Sequence, residues 1–158
     1  MTTTISKATM TVTLTESVSL NGSQQGATNT LSVSNIDEVY KRIVTVPNSE
    51  VEILAFSTAV TTGTFIESDV LYIRITNKDD TNHVGLIFKN ENDDEFGVKL
   101  DKGQSFIYNG DLAGGVVDTM DAQDGGADLA ANTFADLVNV TAYADTAACD
   151  IEIFVACK

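Results

Sequence analysis

Side chains able to do chemistry are few in this chain, and their spacing does not assemble a reaction centre. The single histidine, His83, follows Asn82 on the polar parity of its segment, which reads as a solvated or hydrogen-bonded surface residue. None of the ten serines stands in a G-x-S-x-G elbow, and neither cysteine has a convincing base beside it in sequence. No G-x-x-x-x-G-K-S/T or G-x-G-x-x-G loop is present to cradle a phosphate. Carboxylates abound, yet most lie in turns where hydration accounts for them. A glycosidase needs two acids across a cleft and aromatics to hold the sugar, and the chain has no tryptophan. The reading is a protein that is not an enzyme, with no catalytic or cofactor-binding residue assigned.

Calcium is the metal that the sequence suits best. Asp118, Asp121, Asp124 and Asp128 fall in one Gly-rich stretch, and hard cations take several oxygens from a loop free to curl. Their spacing does not follow the EF-hand pattern, and an acidic solvated loop is the preferred reading, so no metal site is assigned. The turn Glu91-Asn92-Asp93-Asp94-Glu95 is a lesser candidate of the same kind. A zinc site at the two cysteines would need more ligands nearby, and the chain has one histidine in all.

Charge removes two further classes. Nine Lys and Arg face twenty-three Asp and Glu, a net charge of −14. Nucleic acid and anionic lipid both demand clustered cations, so neither is an expected partner. The acidity is also localised. Residues 90–128 hold Glu91, Asp93, Asp94, Glu95, Asp101, Asp111 and the four loop aspartates against Lys99 and Lys102, a net −8. No segment has the apolar length of a membrane helix, and the Thr-rich start lacks the apolar run of a signal peptide. A soluble chain made in a cytoplasm is the expectation.

The elements that must position any site are strands. Apolar residues alternate with polar ones along residues 10–20, where Met10, Val12, Leu14, Val18 and Leu20 face Thr and Ser. Glu16 breaks that row and marks a bulge or bend. Period-two runs recur near residues 30–34, 39–46, 50–56, 70–76, 83–89, 95–101, 104–108, 134–144 and 149–156. Pro47-Asn48-Ser49 reads as the turn of a hairpin joining two of them. Residues 109–132 are rich in Gly, Asp and Ala and read as one long loop. Cys149 and Cys157 fall on the apolar parity of the last strand. At about 3.3 Å per residue they would lie about 26 Å apart, too far for a disulfide. The expected fold is an all-β antiparallel sandwich, jelly-roll-like, of about 8–9 strands in a single domain, with residues 1–34 as an N-terminal arm or first strands.

The stretch 70–108 carries a recognisable order: LYIRITNKD, HVGLIF after a polar turn, an acidic turn, then FGVKLDKGQSF into another strand. It resembles small β-sandwich structural proteins of tailed bacteriophages, including those infecting cyanobacteria. The resemblance implies a virion component, a capsid decoration (cement) protein that binds major capsid protein subunits. It also implies a homo-oligomer, a trimer by preference, with the N-terminal segment contacting a neighbour. A neck, tail or fibre component is the alternative place in the virion. A calcium-dependent carbohydrate-binding module built on the 118–128 aspartates is the alternative from another class.

Overall fold

The computed structural model describes residues 4–117 and 134–158. Among them thirteen strands run in the order β1 (Ala8–Thr15), β2 (Ser19–Leu20), β3 (Ser23–Gln24), β4 (Thr28–Ile36), β5 (Glu38–Val46), β6 (Val51–Ser57), β7 (Phe65–Ile66), β8 (Val70–Asn77), β9 (Val84–Asn90), β10 (Glu95–Leu100), β11 (Ser105–Asn109), β12 (Leu137–Ala144) and β13 (Cys149–Cys157). A 3-10 turn, Glu67–Asp69, precedes β8. The chain is all-β, as its alternation requires.

Two sheets face each other. One has the order β11-β8-β13-β5 and the other β10-β9-β12-β6, with the short β7 added in parallel to the edge of β6. Among the eight long strands from β5 onward, the first pairs with the last, the second with the seventh, the third with the sixth and the fourth with the fifth. That nesting is a long antiparallel hairpin of strands wrapped into a barrel-like sandwich, the jelly roll. The inward parity supplies a continuous core. Ile151, Ile153 and Val155 of β13 meet Leu86 and Phe88 of β9 and Val140 and Ala142 of β12. Phe88 stacks on Phe96 at 4.8 Å between centroids and lies 5.0 Å from Phe106. Both cysteines are free thiols buried in this core, as their parity predicts.

Several local expectations change. The segments flanking Pro47 do not form a hairpin: β5 pairs with β13, and β6 pairs with β12 in the other sheet. A tight polar turn can close a hairpin or arch over from one sheet to its partner. Here each flanking strand has an apolar inward face, and only the arch lets both reach the core. The same holds at residues 78–83 and 101–104, so among the described residues the tight β2–β3 and β9–β10 connections are hairpins. The long strand expected over residues 10–20 stops at Thr15 and resumes at Ser19, so the break expected at Glu16 is present, and a further pairing irregularity sits between Ala8 and Met10.

The arch after β8 is held by one buried amide. Asn77 Nδ2 donates to the carbonyls of Asn82 (2.9 Å) and Leu100 (3.1 Å), while its Oδ1 accepts from Asp79 N (2.9 Å). Asp79 in turn accepts from Thr81 N and Asn82 N, and those bonds hold its carboxyl below the usual range. The TNKD segment is thus a scaffold for crossing between sheets. Replacing Asn77 by Ala removes three internal hydrogen bonds worth about 1 kcal/mol each, so urea denaturation should show a loss of about 3 kcal/mol. Leu14→Ser, on an exposed face, should change stability by less than about 0.5 kcal/mol. Equal effects of the two substitutions would contradict this division of the fold.

Candidate functional site

Before the sandwich begins, the chain builds a two-stranded ribbon. β1 pairs antiparallel with β4, from Thr15 opposite Thr28 down to Ala8 opposite Ile36. Its tip is closed by β2 and β3 around Asn21-Gly22, both with positive φ (52° and 80°). Asn-Gly is the sequence that a two-residue hairpin turn selects, because both central residues must enter the left-handed region. That dipeptide was the available signal for a hairpin where the composition reads as a loop. Gly26 is required for a different reason. A Cβ there would fall 1.9 Å from the Glu16 carbonyl, where the two ribbon strands close together.

Only the base of the ribbon is anchored. Val33, Ile36, Met10, Val12 and Leu31 pack on Leu71, Tyr72, Phe154 and Ala156, on the outer face of the four-stranded sheet. Tyr72 and Phe154 meet edge to face at 6.1 Å. Asp37 N donates to Cys157 O at 3.1 Å, and Lys7 lies 3.5 Å from Asp37, tying the ribbon's root to the end of β13. Farther out, the apolar row is open to solvent: Leu14 is 52%, Val18 51% and Leu20 63% exposed. A hollow of about 220 Å³ lies where the ribbon leaves the sheet, lined by Val12, Leu14, Leu31, Tyr72, Ile107 and Asn109.

Electrostatics separate this element from the rest. Residues 1–36 contain one cation, Lys7, and one anion, Glu16, so the whole net charge of −14 resides in residues 37–158. The sheet face beside the ribbon is internally compensated. Glu152 bonds Arg74 at 2.6 Å and lies 3.4 Å from Lys41, and Arg74 also donates to Thr76 and covers Phe154. The Arg74 hydrogen bond, aided by Lys41, holds the Glu152 carboxyl below its ordinary range.

Two of the residues singled out for chemistry meet, through the backbone: His83 Nδ1 lies 3.4 Å from Asp145, and the His83 carbonyl oxygen accepts from the Cys149 thiol at 3.7 Å. Burial first, then Asp79, Asp145 and Asp150, raises the Cys149 thiol above its ordinary range. Cys157 is buried beside Glu38, Asp69 and Asp37, and burial first, then those acids, pushes its thiol up to about 12. Such a thiol is inert. The calcium candidates Asp118, Asp121, Asp124 and Asp128 lie outside the described residues. In the Glu91 turn, Asn90 Oδ1 accepts from Asn92 N and Asp94 N, and Asp93 is paired with Lys89 at 2.7 Å. Among the described residues no group of three or more His, Cys, Asp and Glu could hold a metal ion. No described helix is long and apolar enough to cross a membrane. No family model matches the chain, and no curated protein matches it.

Glu152 makes the compensated face testable by pH. A carboxyl whose pKa is lowered on folding contributes stability above the ordinary value of 4.5, lost as pH falls through the folded value. Glu152→Gln should therefore lower the melting temperature at pH 7. Its melting curve should also fall less than the parent's on acidification below about pH 4.5. Parallel pH profiles for the two proteins would show that Glu152 is not engaged in solution.

Proposed function

We propose that the chain is a non-enzymatic structural protein of a phage virion, a capsid decoration (cement) protein that bridges major capsid protein subunits. The observation that carries this reading is the ribbon: an element with a single charged side chain, Glu16, and an open apolar row, standing on a strongly acidic jelly roll. Along the ribbon Leu14, Val18 and Leu20 stand more than half exposed among the described residues. An isolated two-stranded hairpin is marginal in water, so its distal half is a surface built to be covered by another protein. The sequence resemblance across residues 70–108 names the setting, and it favours a homo-oligomer, a trimer by preference.

The physics of such a role is mass action. A protein that binds only the assembled lattice stabilises it by RT ln(1 + [L]/Kd), about 2.7 kcal/mol per site at a hundredfold excess over Kd. High net charge keeps the free protein soluble until assembly, while the neutral ribbon lets it approach a partner without like-charge repulsion at the contact. Unpaired buried thiols suit folding in a reducing cytoplasm. In this reading the acidic turns face solvent and the ribbon faces the shell.

Co-sedimentation with expanded phage shells and with free coat subunits tests the proposal. Binding to shells alone is expected, and it should weaken at least about tenfold in the Leu14→Ser, Leu20→Ser double variant, a loss of about 1.4 kcal/mol. Equal binding to free subunits, or undiminished shell binding by the variant, would overturn it. Gold-labelled protein found on tails or fibres and absent from heads would move the site of action within the virion.

A further inference from the structure

On the outer face of the other sheet, a hollow of about 500 Å³ lies over β9 and β10, with Tyr143 of β12 at its side. Two glycines form its floor. Gly85 stands in register between Lys99 and Tyr143, and Gly97 stands opposite Ile87. They are glycines for different reasons. A Cβ on Gly85 would fall 2.4 Å from Tyr143 Cε1, so the phenol ring lies directly over bare backbone. Neither packing nor conformation requires the glycine at position 97. Its φ is not positive, and a Cβ there would meet only the Leu86 carbonyl oxygen, at 3.8 Å. Glycine inside a strand weakens the strand, and it often marks a place where another molecule approaches closely. Here it keeps the hollow open.

The lining fixes the chemistry of an occupant. Tyr143 has part of its ring laid on the sheet yet remains 41% exposed, which leaves aromatic surface for stacking. Glu95 and Lys99 stand on the β10 rim, one a hydrogen-bond acceptor and the other a donor. Lys99 is held only by an exposed pair with Asp101 at 3.1 Å, which costs little to exchange. Anionic ligands meet Glu95 and a protein of net charge −14, and cationic ligands meet Lys99. What remains is a neutral ligand with an apolar C–H face and hydroxyls at its edge. We propose that the hollow formed by Gly85, Gly97, Tyr143, Glu95 and Lys99 binds a neutral sugar ring. The pyranose would stack on Tyr143, give a hydroxyl proton to Glu95 and accept one from Lys99. This site is separate from the ribbon and independent of the shell reading, and it uses none of the 118–128 aspartates.

Nitrogen–proton correlation spectra of the full chain, recorded with glucose, galactose, mannose and N-acetylglucosamine at tens of millimolar, test it. At least one sugar should shift the amides of Gly85, Gly97 and Tyr143 saturably, equally with and without EDTA. Gly97→Val places a β-branched side chain in open space, so the melting temperature should hold or rise while binding falls at least tenfold. Tyr143→Leu, which still covers Gly85, should also weaken binding at least tenfold. The proposal is overturned by the absence of shifts with all four sugars, by undiminished binding in both variants, or by binding that EDTA abolishes. A lysine-rich peptide that saturates the same amides where sugars do not would overturn it in favour of a cationic ligand.

Discussion

Strand β13 is buried along its inward face and covered toward one end of its outward face, and these two covers organise the molecule. Inward, Ile151, Ile153 and Val155 close the space between the sheets. Outward, Phe154 and Ala156 would leave an apolar strip in water beside Tyr72 and Leu71. An antiparallel sheet can leave one face solvated only if that face is polar. Where β13 and β8 break that rule, the ribbon's base supplies the missing layer with Val33, Ile36 and Met10. Toward the middle of β13, the outer face reverts to the rule. There Glu152, Arg74, Lys41 and Thr76 form a compensated polar row, and no cover is needed.

This arrangement gives the ribbon two unlike halves. Its base belongs to the fold, because removing it would bare Tyr72 and Phe154. Its distal half, from Leu14 to the Asn21-Gly22 turn, covers nothing among the described residues and carries only Glu16. Apart from Glu16, the acids all fall in residues 37–158. At one place acidity is costly: Glu67 is buried, and desolvation together with Asp136 and Glu91 raises its carboxyl above the ordinary range. Elsewhere among the described residues Asp80, Glu91, Asp93 and Asp145 sit in exposed turns, where water screens them.

The alternation of residues read the strands and their inward faces well, down to the five inward positions of β13 and the buried cysteines. Strand order was out of reach, because period two states which face is apolar and not which strand lies beside it. Pro47-Asn48-Ser49 shows the difficulty: its chemistry permits a turn within a sheet or between sheets, and the core decides. The ribbon was legible as an arm or first strands, but its anchoring was not. Tyr72 and Phe154 sit on the outward parity and look solvated until another element is known to cover them. The sugar-binding hollow left only a faint trace, two glycines inside strand patterns, and only their registers with Ile87, Lys99 and Tyr143 give them meaning.

The central claim is that the ribbon is fold at its base and contact surface beyond it. Amide hydrogen exchange, read residue by residue on the dilute protein and again on its assembled form, addresses that claim most directly. The account predicts fast exchange from Thr13 to Thr30 in the dilute chain, slow exchange at Val33 and Ile36, and protection of the distal half only on assembly. Uniform protection of the whole ribbon in the dilute chain, or a distal half that stays fast after assembly, would contradict it.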